Sequence, residues 1–163
     1  MDIRQQHNPT VSPDEWYTPR WIIDELGPFD TDPCSAPDTV RPFQIAPRYY
    51  TKEDNGLEMP WEGVVYMNPP YSRVPLRAFC EKMASHGNGI ALLVNRQDKL
   101  LWQEVIFPTA KSMIFMRHRV KFLRPGGVSG SPFFGSCLVA WGDECDRRLR
   151  ESKIEGKYVV LNL

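Results

Sequence analysis

Nowhere in these 163 residues does an apolar run reach the roughly 20 residues that span a bilayer, and the opening MDIRQQHNPT holds no apolar signal region. A soluble, cytoplasmic protein without a membrane partner is expected. Cysteine is scarce and scattered: Cys34, Cys80, Cys137 and Cys145 lack the close pairing of a zinc site or a short disulfide framework. They are expected as reduced thiols, and no metal is expected. Net charge is also missing, with 20 bases against 20 acids, so no global field marks a nucleic-acid partner. There is no internal repeat, low-complexity tract or linker. The length fits one domain, expected over 14–163, after a flexible lead-in over 1–13 that carries Pro9 and Pro13 and shows no period.

The absences that inform most are local. From Val105 to Gly142 there is no acid, only Lys111, Arg117, Arg119, Lys121 and Arg124. From Asp14 to Asp38 there are seven acids and one base, Arg20. Such a division suits a protein that binds a cationic or hydroxyl-rich group near one segment and an anion near the other. Two ordinary solvated faces would give the same count.

What is present alternates. Thr18 can cap a helix with Pro19 at its first position and Trp21, Ile22 and Leu26 on its apolar face, ended by Gly27-Pro28. A strand is expected near 29–31, then an irregular loop with three prolines in 33–42, then a strand near 43–45. Val64 to Met67 is a short apolar strand. Pro75 can open a helix that buries Leu76, Phe79, Cys80 and Met83, closed by Gly87-Asn88-Gly89. Ile90 to Val94 and Ser112 to Met116 read as buried strands flanking a helix that Asp98 can cap. Strands alternating with helices predict an α/β fold with a mixed, mostly parallel sheet. In the last third, strands at 120–123, 136–141 and in KYVVLNL follow too closely for crossover helices, apart from one short charged helix. They predict an antiparallel C-terminal edge.

The strand at 64–67 runs directly into Asn68-Pro69-Pro70-Tyr71. Two prolines cannot donate to a ladder, and each holds the residue before it in extended geometry, so the loop is stiff before anything binds. A stiff loop at the carboxyl end of a sheet strand is where open α/β sheets place ligands. The bland alternative is a tight turn with a capping asparagine.

NPPY after an apolar strand resembles the catalytic loop of S-adenosylmethionine-dependent methyltransferases that act on exocyclic or amide nitrogens. The resemblance extends through EWYTPRWIIDELGPFDTDPCS (15–35), RYYTKEDNGLEMPWEGVVYMNPPYSR (48–73), LLVNRQDKLLW (92–102) and RVKFL (119–123). In this order the segments are similar to the phage-borne, Dam-type DNA N6-adenine methyltransferases. The resemblance implies a Rossmann-like class I methyltransferase fold, S-adenosylmethionine as cofactor, double-stranded DNA as partner and Asn68, Pro69, Pro70 and Tyr71 as the catalytic loop. The Asn68 amide oxygen and the Pro69 carbonyl would accept from the adenine N6 amine, and the Tyr71 ring would stack on the flipped base.

By the same resemblance, Tyr17, Thr18 and Pro19 face the methionine end of the cofactor. Asp30, Asp32 and Pro33 stand where many methyltransferases carry a glycine-rich loop, which leaves open which aspartate meets the cofactor's amino group. Asp54, Gly56 and Leu57 match the motif that reads its adenine, with Asp54 as acceptor and Leu57 against the ring; by itself this stretch reads as a plain β-turn. Arg73, Arg77, Arg96, Lys99, Arg117, Arg119, Lys121 and Arg124 are candidate phosphate contacts, with sequence reading assigned to a loop near 123–134. Trp16, Trp61, Trp102 and Trp141 read as core or pocket walls. The alternatives are a methyltransferase for another nitrogen (RNA adenine N6, cytosine N4 or protein glutamine) and a catalytically idle DNA-binding module.

Overall fold

A computed structural model describes residues 15–163; the lead-in expected over 1–13 lies outside the described residues. The chain folds around a seven-stranded sheet of order β2-β1-β3-β4-β8-β5-β9. Its strands are β1 (Thr31–Asp32), β2 (Arg48–Tyr49), β3 (Val65–Met67), β4 (Gly89–Val94), β5 (Ser112–Met116), β8 (Ser136–Trp141) and β9 (Gly156–Val160). Between β5 and β8 a separate hairpin forms from β6 (Phe122–Leu123) and β7 (Ser129–Gly130).

β2, β1, β3 and β4 are mutually parallel. β8 enters antiparallel between β4 and β5, and β9 pairs antiparallel with β5 at the edge. The expected antiparallel edge is therefore β9, while β8 is interior and all six of its residues are buried. A strand buried on both faces needs apolar residues at every position, which is why SCLVAW shows no alternation with polar residues.

Successive side chains point to opposite faces and divide the core in two. Val65, Met67, Leu93, Met113 and Val139 meet α2 (Arg73–His86) and a π-helical turn (Trp102–Ile106) that leads into α3 (Phe107–Thr109). Tyr66, Ile90, Leu92, Ile114 and Leu138 meet Ile22 and Leu26 of α1 (Arg20–Leu26) and Cys145 and Leu149 of α4 (Asp143–Glu151). Helices cover both faces of the sheet. Burial of Phe79, Cys80 and Met83 fixes α2 on its face, each large apolar side chain contributing about 1.5–3 kcal/mol. The helix stops at Gly87, whose φ of 72° is left-handed and whose N–H returns to the Met83 carbonyl at 2.8 Å.

Local readings fail where a distant partner competes. The Thr18 hydroxyl does not cap α1, because it pairs with the Tyr66 hydroxyl at 2.7 Å, and Trp21 is 48% exposed. Residues 43–45 do not form a strand; Gln44 bonds the Ala46 carbonyl at 2.8 Å, and the chain pairs with β1 only from Arg48. Asp98 caps no helix, since Arg96 and Lys99 take its carboxylate. All four cysteines are free, no helix among the described residues is long and apolar enough to cross a membrane, and none of these residues form a metal-holding cluster.

Candidate active site

Because β1, β2 and β3 run parallel, their carboxyl ends open on one edge of the sheet, and a cavity of about 700 Å³ lies there. The loops after the three strands supply its walls: Asp32 to Pro37, Thr51 to Leu57 without Asp54, and Asn68 to Ser72. Residues 15–18, Arg41 to Phe43, Ile45, and Pro75 and Phe79 of α2 complete it. The order of the walls follows from the connectivity, so segments far apart in sequence meet.

The Asn68 amide is held at both ends. Its Nδ2 donates to the Trp16 carbonyl at 2.6 Å, which fixes the amide's orientation, because only the nitrogen end can donate to a carbonyl. Oδ1 therefore faces the other way, where the Tyr71 hydroxyl donates to it at 3.2 Å. Burial pushes the Tyr71 hydroxyl well above the usual tyrosine range, so it stays a neutral donor. Pro69 is buried and Pro70 exposed. No described residue donates to the carbonyl of Pro69, the next residue in the loop.

The two aspartates stand in different places. Asp30 takes the Val64 N–H at 2.7 Å, packs against Gly63 and does not line the cavity. Asp32 does, and its carboxyl is 3% exposed. Burial raises it from the usual carboxylate range to about 7, against the lowering effects of the Cys34 N–H, 3.1 Å away, and of Arg41.

Asp54 spends one carboxylate oxygen inside its own turn and does not line the cavity. Its Oδ2 takes the Thr51 N–H and hydroxyl, both at 2.8 Å, which holds its carboxyl below the usual range and turns it away from the cavity. Glu53 and Asn55 face the cavity instead. The signal was legible: Thr51 three residues before Asp54 is a side-chain turn pattern, and it commits Asp54 to the backbone. Gly56 is required by packing, since a Cβ there would lie 2.1 Å from the Pro33 carbonyl oxygen. Leu57 lines the cavity as expected, and Pro33 lies beside it in the same wall.

Lys82, which sequence reasoning passed over, fastens that wall. From α2 its Nζ donates to the carbonyls of Leu57 at 2.7 Å and Met59 at 2.6 Å. Nothing in the helical pattern marks it, because its partners lie about 25 residues upstream.

Of residues 17–19, Tyr17 and Thr18 line the cavity and Pro19 is buried outside its lining. The Tyr17 hydroxyl donates to Glu15 at 3.0 Å, and burial, reinforced by Glu15, raises its pKa. Tyr17 and Leu123 exchange backbone hydrogen bonds at 2.8 and 2.9 Å, which attaches this wall to the β6–β7 hairpin.

Most of the candidate phosphate contacts have internal partners. Arg77 pairs with Glu81 and Glu104, Arg96 and Lys99 with Asp98, and Arg117 with Glu155. Arg119 donates to the Pro132 carbonyl at 2.8 Å, and Arg96 covers the Phe134 ring at 4.6 Å. The Arg124 guanidinium lies over the Trp16 indole at 4.5 Å. Lys121 is exposed and makes no ion pair among the described residues. The Arg73 side chain lies outside the described set. Exposed Val128 and Phe133 extend the same arm.

The family model described as DNA N-6-adenine-methyltransferase (Dam) matches residues 5–141, which run through all the cavity walls and end with β8. The chain belongs to the Dam family. No curated protein and no solved structure matches the chain. Membership of the Dam family assigns the protein to adenine N6 methylation of DNA in general, and it makes Asn68-Pro69-Pro70-Tyr71 the segment to be explained chemically.

Proposed function

We propose that the protein transfers a methyl group from S-adenosylmethionine to the exocyclic N6 of an adenine flipped out of double-stranded DNA. The observation that carries this reading is the Asn68 amide, locked by the Trp16 carbonyl with its oxygen turned the other way, next in sequence to a Pro69 carbonyl that takes no hydrogen bond from the described residues. Two acceptors on successive residues suit an amine with two N–H groups. The N6 lone pair is delocalised into the ring, and hydrogen bonds from both protons favour the pyramidal nitrogen of the transition state over the flat ground state. When the amine arrives it replaces the Tyr71 hydroxyl on Oδ1, and the Tyr71 ring is free to stack on the base, a contact worth about 1–3 kcal/mol.

The cavity suits the cofactor. Asp32 is a buried carboxyl that forms no ion pair among the described residues, Arg41 acting on it only from a distance while paired with Asp38, so a positively charged amino group would re-ionise it and be held by it. Glu53 stands where ribose hydroxyls could be bound, and Leu57 and Phe79 offer apolar faces for a purine. Bound S-adenosylmethionine supplies a methyl on a sulfonium, which leaves in line to a nucleophile without a metal or covalent intermediate. The chain's part is to hold donor and amine in register and to exclude water.

The fold reading that goes with this is a Rossmann-like class I domain over 14–163, working in the cytoplasm. DNA would be met by the arm around 119–134 and by Lys121. Methyl-labelled S-adenosylmethionine and duplex oligonucleotides test the proposal: label should enter adenine-containing duplexes and be absent from duplexes in which purine replaces adenine. Label in RNA, in cytosine or in protein would point to another nitrogen, and absence of transfer with intact cofactor binding would point to an idle module.

A further inference from the structure

We propose that Trp16 is a positioning residue that couples the β6–β7 arm to the Asn68 amide, so that seating of the arm on DNA sets the aim of the amine acceptor. The inference rests on the reading that Asn68 accepts from the target amine. Trp16 meets the two regions with different parts of itself. Its carbonyl takes the Asn68 Nδ2 at 2.6 Å, a contact across 52 positions of sequence. Its indole lies in the arm, edge-on to Phe122 with ring centroids 5.9 Å apart and under the Arg124 guanidinium at 4.5 Å.

The next residue, Tyr17, exchanges two backbone hydrogen bonds with Leu123, an isolated antiparallel bridge that ties this segment to the hairpin. Gly130 of β7 closes the packing: a Cβ there would lie 3.3 Å from the Trp16 ring. The indole is therefore clamped by β6, β7 and an arginine, while the carbonyl two bonds from its Cβ holds the catalytic amide. A shift of the arm moves the carbonyl, and the amide must follow or lose the acceptor that holds its nitrogen.

The arm is also where DNA would act. It carries Arg119, Lys121 and Arg124 on a segment without acids, together with exposed Phe133 and Val128. An enzyme wired in this way aligns its acceptor most accurately when duplex is seated, which restricts methyl transfer to bound DNA.

The test uses Trp16→Ala, Trp16→Phe and Gly130→Val in the full chain. It reads single-turnover methylation at saturating S-adenosylmethionine and duplex, calorimetric affinity for the cofactor and anisotropy-based affinity for the duplex. Trp16→Ala and Gly130→Val should lower the single-turnover rate about ten- to a hundredfold, and Gly130→Val, outside the cavity, should do so with both affinities within about threefold of the parent. Trp16→Phe should recover most of the rate, because a ring still fills the clamp. Parental rates in a folded Trp16→Ala or Gly130→Val would overturn the coupling. A rate loss in Gly130→Val matched by an equal loss of cofactor affinity would also overturn it, leaving Trp16 a wall of the cavity and nothing more. If Trp16→Ala fails to fold, Gly130→Val decides, since it leaves residues 15–18 unchanged. A parental protein that methylates no adenine defeats the underlying reading, and this is seen before any variant is made.

Discussion

The cavity at the ends of β1 to β3 and the arm at residues 117–134 are opposite in charge, yet they use charge in the same way. In the cavity region, Asp30 and Asp54 are spent on backbone N–H groups, while Glu15, Asp32 and Glu53 face the space. In the arm, Arg117 is paired with Glu155, Arg119 braces Pro132, and Lys121 makes no ion pair among the described residues. Runs of like charge in a sequence therefore overstate the groups available to a ligand; in both regions some of them build the loop that presents the others.

The largest effect expected on either side of that comparison is at the junction. Asn68→Ala should cut single-turnover methylation by about 100- to 1,000-fold, with cofactor affinity nearly unchanged, because the acceptor matters as the nitrogen pyramidalises. Next comes Asp32→Asn. A charge-assisted hydrogen bond to the cofactor's amino group is worth about 1.5–3 kcal/mol, and calorimetry at pH 8 should show that loss. The parent's affinity should rise about tenfold from pH 6 to pH 8, because the cation needs the ionised form of a carboxyl that titrates at about 7, and the variant should show no such rise.

Without cofactor the same group gives a stability slope of definite sign. The folded chain holds the Asp32 proton up to about pH 7, whereas an unfolded aspartate releases it near 3.9. Stability contributed by this group is therefore present at low pH and lost as pH rises through that window, and Asp32→Asn should flatten the dependence in denaturant titrations. Lys82→Met should weaken cofactor binding about tenfold by loosening residues 57–59. Asp54→Ala, by contrast, should lower the melting temperature and leave affinity unchanged, since its carboxylate serves the turn.

Smaller effects belong to the arm. Lys121→Ala should reduce the slope of log K against log salt by about 0.9, the release expected of one phosphate contact, and Arg117→Ala should reduce it by less. Smallest is Tyr71→Phe: its hydroxyl is displaced from Asn68 when the amine arrives, so single-turnover rates should stay within about threefold of the parent. Tyr71→Ala, which removes the stacking ring, should cost about 1–3 kcal/mol.

The contrast also explains what the sequence could show. β3, β4, β8 and α2 were legible because each is specified by its own apolar pattern, and the NPPY loop because proline acts locally. β2 was not, as two residues, Arg48 and Tyr49, become a strand only by pairing with β1. The roles of Asp30 and Asp54 were hidden for the same reason in part: Val64 claims Asp30 from 34 positions away, whereas the Thr51 partner of Asp54 was within local reach. The Trp16–Asn68 bond, which orients the amide, joins two motifs that each looked complete alone.

The most direct measurement of the central claim is mass analysis of nucleosides from duplex DNA incubated with S-adenosylmethionine and either the parental protein or Asn68→Ala. N6-methyldeoxyadenosine with the parent, and about a hundredfold less or none with the variant, is the expected result. N4-methyldeoxycytidine as the product, or equal yields of N6-methyldeoxyadenosine from the two proteins, would contradict it.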